Sequence, residues 1–306
     1  MGPGEKAAAA SRRHGGAPLI RFGHFAAIDW SGAVGERQRG IAVALCEAGD
    51  HAPTLVRPDH IWSRQDVLDW LLAELPPSTL VGLDLGMSLP FADFDVFFPG
   101  WVESPGDARG LWELVDRIAA NDPHLAATSF VDHPDAARHF RRHGGRCGDL
   151  FQSGGGRLRV TEHKQREQGL NPYSNLNLIG AAQVGKSSLT GMRLLQRIGD
   201  SLPIWPFDSL PESGSVLVEI YTALAAVSAG RPKGRSKIRD AAMLDLALDR
   251  LGSHAHGSLA RHDDHATDAI LTAAWLRMAA FDRALWHPAA MTPAIAQTEG
   301  WTFGVR

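Results

Sequence analysis

The chain has few cysteines, little net charge and no long apolar run. Its two cysteines among 306 residues exclude a disulfide-stabilised scaffold and favour a reducing compartment. No apolar stretch reaches the roughly 20 residues that span a bilayer, and residues 1–22 lack the continuous apolar core of a signal peptide. We therefore predict a cytoplasmic protein with no membrane partner. The formal net charge of −3 means that any contact with nucleic acid needs a local basic patch.

What the chain does contain is typical of a globular protein, with 44% hydrophobic and 21% charged residues. Residues 1–22 are predicted to be a flexible polar leader, and residues 23–306 a single domain. Residues 90–175 are rich in glycine, proline and histidine, with one clear helix near 108–120, and we interpret them as an insertion or cap and not as a separate domain. Nothing in the sequence indicates the oligomeric state.

Hydrophobic patterning predicts an α/β fold. Strand-like runs occupy residues 24–30, 40–47 and 53–57, close enough together to form an antiparallel meander. A helix is predicted from Ser63 to Leu75, with Ser63 as its N-cap. The remaining predicted elements are a strand over 80–85, a helix over 187–198, a strand over 215–221, a helix over 236–251 capped by Ser236, and a final helix from about Asp263 to Leu285.

Four acidic residues lie in or beside apolar runs. Asp29 in AIDWSG, Asp84 in VGLDLG and Glu219 in VLVEIY end strand-like runs, and Asp268 lies in the helical DDHATDA. An acid is costly to bury without a partner, which is usually a cation. Each acid alone is equally well explained as a cap, a turn former or a salt-bridge partner. The four together indicate a carboxylate cluster that binds Mg²⁺ or Mn²⁺.

A second helical group can complete this cluster. Asp264 and Asp268 are four residues apart, and His265 and Asp268 are three apart, so all three can share one helical face. Either Asp264 or His265 could assist, and the ordinary near-neutral pKa of histidine suits a base that activates water. Two-metal hydrolysis of phosphodiesters uses converging carboxylates of this kind. We therefore predict a metal-dependent nuclease.

Several motifs together resemble a known family. AIDWSG, LDLGMSLP, VEIYTALA, GRPKGRSK, DDHATDAI and EGWTFGV are similar to domain-of-unknown-function family 429, and DHATDA also resembles the helix motif of RuvC-type nucleases. The resemblance implies an RNase H-like fold with a mixed central sheet, antiparallel first three strands and flanking helices. It also implies nuclease activity, with Asp29, Asp84, Glu219 and Asp268 as metal-binding acids and His265 or Asp264 assisting. Thr222 stands where the family tends to have proline.

Residues 180–187 contain a motif that indicates a different function, nucleotide binding. They read GAAQVGKS and match the pattern G-x-x-x-x-G-K-[ST] of a phosphate-binding loop, in which Lys186 and Ser187 would contact phosphate and Mg²⁺. Such a P-loop nucleotide-binding domain needs a parallel sheet of about five strands around the loop, and only one convincing strand follows Ser187. We favour a turn that opens a helix, where Lys186 can still contact substrate phosphate. The same RNase H-like fold could also serve a non-catalytic nucleic-acid-binding protein or a phosphotransferase.

Two basic runs could contact the phosphate backbone of DNA or RNA. The first lies between Ala137 and Arg166, where a solvated surface is an equally good interpretation. The second follows Glu219, contains no acid, and is favoured as a substrate-binding loop. Its predicted substrate-binding residues are Arg231, Lys233, Arg235 and Lys237.

His139, His143 and Cys147 recur at helical spacing and could in principle ligate zinc. Gly144 and Gly145 interrupt the helix that this spacing requires, and no fourth ligand is evident. We therefore favour the interpretation that these residues bind no metal.

Overall fold

The computed structural model describes residues 22–180, 184–231, 237–257, 259 and 263–306. Over these residues the chain forms one mixed six-stranded sheet with helices packed on both faces, which confirms the predicted α/β class. The predicted leader, except for Phe22, lies outside the described residues.

The sheet has the strand order β3-β2-β1-β4-β6-β5. The pairs β1–β2 and β2–β3 are antiparallel, as predicted, whereas β4, β6 and β5 run parallel to β1. The strands are β1 His24–Asp29, β2 Ala42–Glu47, β3 Thr54–Leu55, β4 Thr79–Asp84, β5 Ile204–Trp205 and β6 Val216–Glu219.

Among the described residues, some helices lie in the connections between strands and the others follow the last strand, β6. They are α1 Arg64–Asp69, α2 Ala108–Ile118, α3 Thr128–Asp132, α4 Pro134–Ala137, α5 Val160–Glu167, α6 Val184–Ile198, α7 Thr222–Ser228, α8 Ala241–Arg250, α9 Asp264–Ala279, α10 Arg283–Trp286 and α11 Pro293–Thr298. A π-helical turn, Trp70–Glu74, extends α1, and a 3₁₀ turn spans Pro123–Leu125.

The caps explain where two helices begin. Ser63 caps α1 through a capping box with Asp66, in which the Ser63 hydroxyl accepts from Asp66 N and the Asp66 carboxylate accepts from Ser63 N, so the predicted N-cap is confirmed. The helix predicted over 236–251 begins later, at Ala241, because the side chain of Asp240 caps it by accepting from Met243 N. Ser236, the predicted cap, lies outside the described residues.

The long C-terminal helix predicted from Asp263 to Leu285 is two helices. Helix α9 ends at Ala279, and a new cap begins α10 when Asp282 accepts from Ala284 N. The prediction was wrong here because the apolar pattern continues across the break: Leu285 and Trp286 are buried in the same core as α9.

Side-chain alternation along the strands divides the hydrophobic core into two. Ala26, Ile28 and Leu83 point to the face covered by α1, α2 and α6, whereas Phe25 and Ala27 point to the face covered by α7, α8 and α9. Residues 90–175 contribute to the first of these cores fully buried aromatic side chains, among them Phe97, Phe98, Trp112, Phe130 and Phe140.

None of the helices in the described part of the chain is both long and apolar enough to cross a membrane.

Candidate functional site

Two of the predicted acids lie side by side at one edge of the sheet. Strands β1 and β4 are parallel, and their register pairs Asp29 with Asp84 at the carboxyl end of both strands. Neighbouring strands are about 4.8 Å apart, so the two carboxylates are held close together. Asp29 lies on the same face of β1 as Phe25 and Ala27, and Asp84 lies on the same face of β4 as Leu80. Both side chains therefore point to the face that α9 covers.

Helix α9 brings a third acid and a histidine to the same place. Asp263 caps its N-terminus by accepting from Ala266 N, and the helix packs against β1 and β2. His265, in the first turn, has its Nδ1 2.7 Å from Asp29 Oδ2. Asp268 follows one turn later, and its charge raises the pKa of Asp84, as that of Asp29 does. Asp29, Asp84, Asp268 and His265 are called the carboxylate site below.

The three carboxylates of this site share an unusual electrostatic environment. Burial raises the pKa of all three, and mutual repulsion adds to this: the charges of Asp29 and Asp268 raise the pKa of Asp84 well above its usual value. Burial, followed by the charges of Asp29 and Asp264, raises the pKa of Asp268 to about 7. No Lys or Arg in the described chain forms an ion pair with Asp29, Asp84 or Asp268. Among the described residues, these three carboxylates therefore lie close to one another without a Lys or Arg counter-ion.

The only ionic partner that this site has among the described residues is His265. Its hydrogen bond with Asp29 raises the pKa of the imidazole, while burial opposes this shift. The His265 side chain is 48% exposed and that of Asp29 only 12%, so the imidazole lies between the buried carboxylate and solvent. In this position His265 can hold Asp29 in place and exchange protons with water.

Thr222 is a site residue that sequence reasoning missed. It begins α7, and both its hydroxyl, at 3.3 Å, and its backbone N–H donate to the Asp84 carboxylate. A proline at this position could not donate the backbone hydrogen bond. The signal that could have revealed this role was the helix-forming run TALAAVS directly after the strand, which places backbone donors at the strand's end.

Glu219 does not join the other acids, contrary to the prediction. In the register of β6 against β4 its partner is Leu83, not Asp84, and it lies on the same face of β6 as Leu217. Its side chain therefore points to the opposite face of the sheet. There its two carboxylate oxygens accept from Arg159 at 2.6 and 2.8 Å. Met87 N and the Thr302 hydroxyl also donate to it, at 2.8 and 2.5 Å. These four donors satisfy a carboxylate that the strand's register has turned away from the site.

Arg159 is the centre of this buried polar network. It also donates to Glu162 and to the carbonyl of Glu299, and its side chain is 1% exposed. Although burial opposes ionisation, the charges of Glu162 and Glu219 raise the pKa of the Arg159 guanidinium. The network joins β6, α5 and the C-terminal segment, so its role is structural.

Asp264 and the second basic run neutralise one another. Lys237 and Arg239 both form ion pairs with Asp264, and the hydrogen bond from Lys237 lowers the pKa of that carboxyl. Arg231 donates to the carbonyl of Lys237. Asp264 is therefore engaged in ion pairs with Lys237 and Arg239, and His265 is the helical group that contacts Asp29. Lys233 and Arg235 lie outside the described residues.

The first basic run is mostly occupied by internal partners. Arg157 and Arg159 are buried, and neither can reach a phosphate backbone. Ion pairs join Arg138 to Asp149, Arg142 and Arg146 to Asp132, and Lys164 to Glu167. The interpretation of this run as an ordinary surface is therefore the better one.

The phosphate-loop motif lacks the structure that nucleotide binding requires. Residues 175–180, which precede it, form a turn and an isolated bridge instead of a strand, and residues 181–183 lie outside the described residues. Lys186 lies in the first turn of α6, where its Nζ is 2.7 Å from His143 Nε2 and burial lowers its pKa. The start of α6 packs closely on Gly32, just after β1. Lys186 is therefore near the carboxylate site and not in a P-loop.

Donor atoms for a metal ion come closest together elsewhere in the described part of the chain. There, Asp50, His51 and His254 form the one group of three His, Cys, Asp or Glu side chains whose donor atoms all lie within 4.8 Å of one another. The donors of the carboxylate site are spread more widely, and His139, His143 and Cys147, all described, form no such group. His139 is buried, which lowers its pKa to about 4.

Two cavities adjoin the carboxylate site. The larger, about 510 Å³, is lined by His265 and Asp263 together with Arg39, Arg57 and Trp62. The smaller, about 180 Å³, is lined by Asp84, Tyr173 and Tyr221, with Glu219 and Arg159 also on its wall. Space for a ligand is therefore present beside both His265 and Asp84.

Comparison of the chain with protein-family models finds no match, and comparisons with curated proteins and with solved structures find no match either.

Proposed function

We propose that this protein is a metal-dependent nuclease or related phosphodiesterase with an RNase H-like fold. The observation that carries the proposal is the convergence of three carboxylates from β1, β4 and α9 on one face of the sheet, without a cationic Lys or Arg partner among the described residues. Carboxylates arranged in this way repel one another unless a cation binds between them.

The strand arrangement supports the fold assignment. An antiparallel β1–β2–β3 meander is followed by a helix and by β4, which returns parallel to β1, and both β1 and β4 end in an aspartate. This is the arrangement that the family resemblance implies. A helix that carries the third acid packs across β1, as the motif DHATDA implies.

The donor chemistry fits Mg²⁺ or Mn²⁺, which prefer carboxylate oxygens. The donor atoms of these carboxylates lie further apart than those around a single shared ion, so metal binding would have to draw them together. When bound, such ions would supply a Lewis acid and lower the pKa of a coordinated water. Asp29, Asp84 and Asp268 are the residues that would hold them, without Glu219.

The remaining residues have roles that follow from their contacts. His265 holds Asp29 through its Nδ1, and its other ring nitrogen is free to accept or release a proton at the exposed side of the site. Thr222 fixes the orientation of Asp84 from the start of α7.

Nucleic acid is the substrate class that best suits the surroundings of this site. Two cavities, one beside His265 and one beside Asp84, offer space for substrate next to the carboxylates. Arg39 in the larger cavity and Lys186, whose backbone packs beside Gly32 just after β1, would neutralise its phosphates. The free thiols of Cys46 and Cys147 suit the cytoplasm, which we retain as the proposed compartment.

The test is cleavage of single- and double-stranded DNA and RNA with Mn²⁺, together with calorimetric titration of Mn²⁺. Asp29→Asn and Asp84→Asn should each reduce cleavage at least about 100-fold, which corresponds to about 2.7 kcal/mol of transition-state stabilisation. Both should also weaken Mn²⁺ binding. Asp200→Asn, a change of the same kind at an exposed residue outside the site, should leave both unchanged.

Two results would contradict the proposal. Cleavage that survives unchanged in Asp29→Asn would mean that the carboxylate site is not catalytic. Nucleic-acid binding without cleavage and without Mn²⁺ binding would identify a non-catalytic binding protein.

A further inference from the structure

A group of possible metal ligands lies far from the carboxylate site. Asp50 and His51 follow β2, and His254 follows α8. Since β2 is antiparallel to β1, the end of β2 lies beside His24, at the opposite edge of the sheet from Asp29. Five residues of β1 separate these edges by about 17 Å. Asp50, His51 and His254 are called the Asp–His cluster below.

The donor atoms of the Asp–His cluster have the separation of ligands around one transition-metal ion. They all lie within 4.8 Å of one another, and His254 Nε2 is 3.2 Å from Asp50 Oδ2. Tetrahedral zinc with bonds of about 2.0–2.1 Å places its ligands about 3.3 Å apart. The Asp50–His254 distance already matches this value, and the His51 donor lies within 4.8 Å of both.

Backbone contacts hold the two segments of the cluster together without any ion. His254 N donates to the carbonyl of Asp50 at 2.6 Å. Arg277, on α9, donates to the carbonyl of His51 at 2.8 Å, and the Ser253 hydroxyl donates to the same oxygen at 3.5 Å. These bonds fix the main chain beside each ligand, which lowers the entropy cost of bringing three side chains to one ion.

A simple surface ion pair explains only part of this arrangement. An Asp50–His254 pair would account for the 3.2 Å contact, but exposed pairs of this kind stabilise little. It would not account for His51, whose ring lies edge-on to that of His254 with centroids 5.6 Å apart. With His51 the cluster has two imidazoles and one carboxylate, and all three side chains are open to solvent.

We propose that Asp50, His51 and His254 bind a transition-metal cation, Zn²⁺ in preference to Mg²⁺, with water in the fourth position. Imidazole nitrogen favours zinc, copper and nickel, whereas Mg²⁺ and Mn²⁺ favour the oxygen donors of the carboxylate site. The ion would connect the loop after β2 to the segment that leads towards α9. It would therefore stabilise the fold without taking part in the proposed hydrolysis.

The experiment is calorimetric titration of Zn²⁺ into the full-length protein, with thermal unfolding measured in parallel. Wild type should bind Zn²⁺ at this site and unfold at a higher temperature in its presence. His51→Ala and His254→Ala should each weaken this binding by about 10-fold to 100-fold.

The controls separate this site from other histidines and from the carboxylate site. His287→Ala removes an exposed histidine elsewhere and should leave Zn²⁺ binding unchanged. Asp29→Asn should also leave it unchanged, so failure of the nuclease proposal would not imply failure of this one. The proposal is overturned if wild type binds no Zn²⁺, or if the double variant His51→Ala/His254→Ala binds it as tightly as wild type.

Discussion

Asp84 and Glu219 have nearly the same position along neighbouring strands but opposite surroundings. Asp84 lies among other carboxylates, whereas Glu219 accepts two hydrogen bonds from a buried guanidinium. The difference follows from alternation, because adjacent strand positions point to opposite faces of a sheet. The chemistry of an acid at the end of a strand is therefore decided by which face its side chain occupies.

The first prediction concerns the stability cost of the carboxylate site. The pKa of Asp268 is about 7 in the folded chain and 3.8 in an unperturbed one, so between these pH values the folded state binds more protons than the unfolded state. Stability must then fall as the pH rises through this window. Asp268→Asn removes the charge and should raise the free energy of unfolding by about 1–3 kcal/mol at pH 8 without metal.

Urea denaturation at several pH values measures this effect. The gain from Asp268→Asn should shrink as the pH is lowered towards 4, where wild-type Asp268 is already protonated. Mn²⁺ should stabilise wild type at pH 8 and stabilise Asp268→Asn less. A gain that is equal at both pH values would show that repulsion among the carboxylates is not its cause.

The amino-acid sequence identified most of the acidic residues discussed here, but it did not show which side chains lie together. Asp29, Asp84 and Asp268 stood out because each interrupts or ends an apolar run, which is a local property. Glu219 has the same local pattern, and only the register of β6 against β4 shows that it faces the other way. Arg159 carried no signal either, because it is one arginine within a basic run and its partners are distant in sequence.

At the scale of elements, the ends of β4 and β6 belong to two separate polar systems. On one face, Asp84 accepts from the start of α7. On the other, Glu219 and Arg159 join β6 to α5 and to Thr302 near the C-terminus. The second system holds its elements in place, whereas the first belongs to the buried carboxylates of the candidate site.

The second prediction separates these two roles. Glu219→Gln keeps the shape of the side chain but leaves the Arg159 guanidinium with one fewer counter-charge, so it should lower the free energy of unfolding by roughly 3–5 kcal/mol. Its Mn²⁺ affinity, measured by calorimetry below the unfolding transition, should stay within about 2-fold of wild type. Asp84→Asn should show the reverse pattern, with weaker Mn²⁺ binding and little loss of stability. Equal loss of Mn²⁺ affinity in both variants would mean that Glu219 is a metal ligand after all.

Elements with strong local signals were predicted well, and those defined by distant contacts were not. The capping box at Ser63 and the strand ending at Asp84 needed only neighbouring residues. Strand β5 has two residues and exists because Ile204 and Trp205 pair with β6, which no local pattern reveals. The start of α8 at Asp240 was missed because two residues with capping side chains, Ser236 and Asp240, precede the same apolar face.

At the scale of the whole molecule, the sheet lies between two cores, and residues 90–175 are part of one of them. Trp112 on α2 is fully buried, and its indole nitrogen donates to the carbonyl of Met87 at 2.7 Å. Its ring contacts that of Phe207 edge-on, with centroids 5.0 Å apart. Helix α2 also packs along α6. The segment is therefore continuous with the core beneath β1 and β4, although its composition suggested an insertion.

The last prediction follows from this continuity. If residues 90–175 formed a separable cap, Trp112→Ala would loosen the cap and leave the sheet unaffected. Because Trp112 contacts Met87 and Phe207 outside that segment, the variant should instead destabilise the whole chain by about 3–5 kcal/mol. Hydrogen exchange measures this directly: amides of β1, β4 and α9 should all lose protection by the same free energy as those of α2. Val102→Ala, in the same segment but fully exposed, should change none of them. Loss of protection confined to α2 and its neighbours would mean that the segment unfolds on its own and that the carboxylate site rests on the sheet and α9 alone.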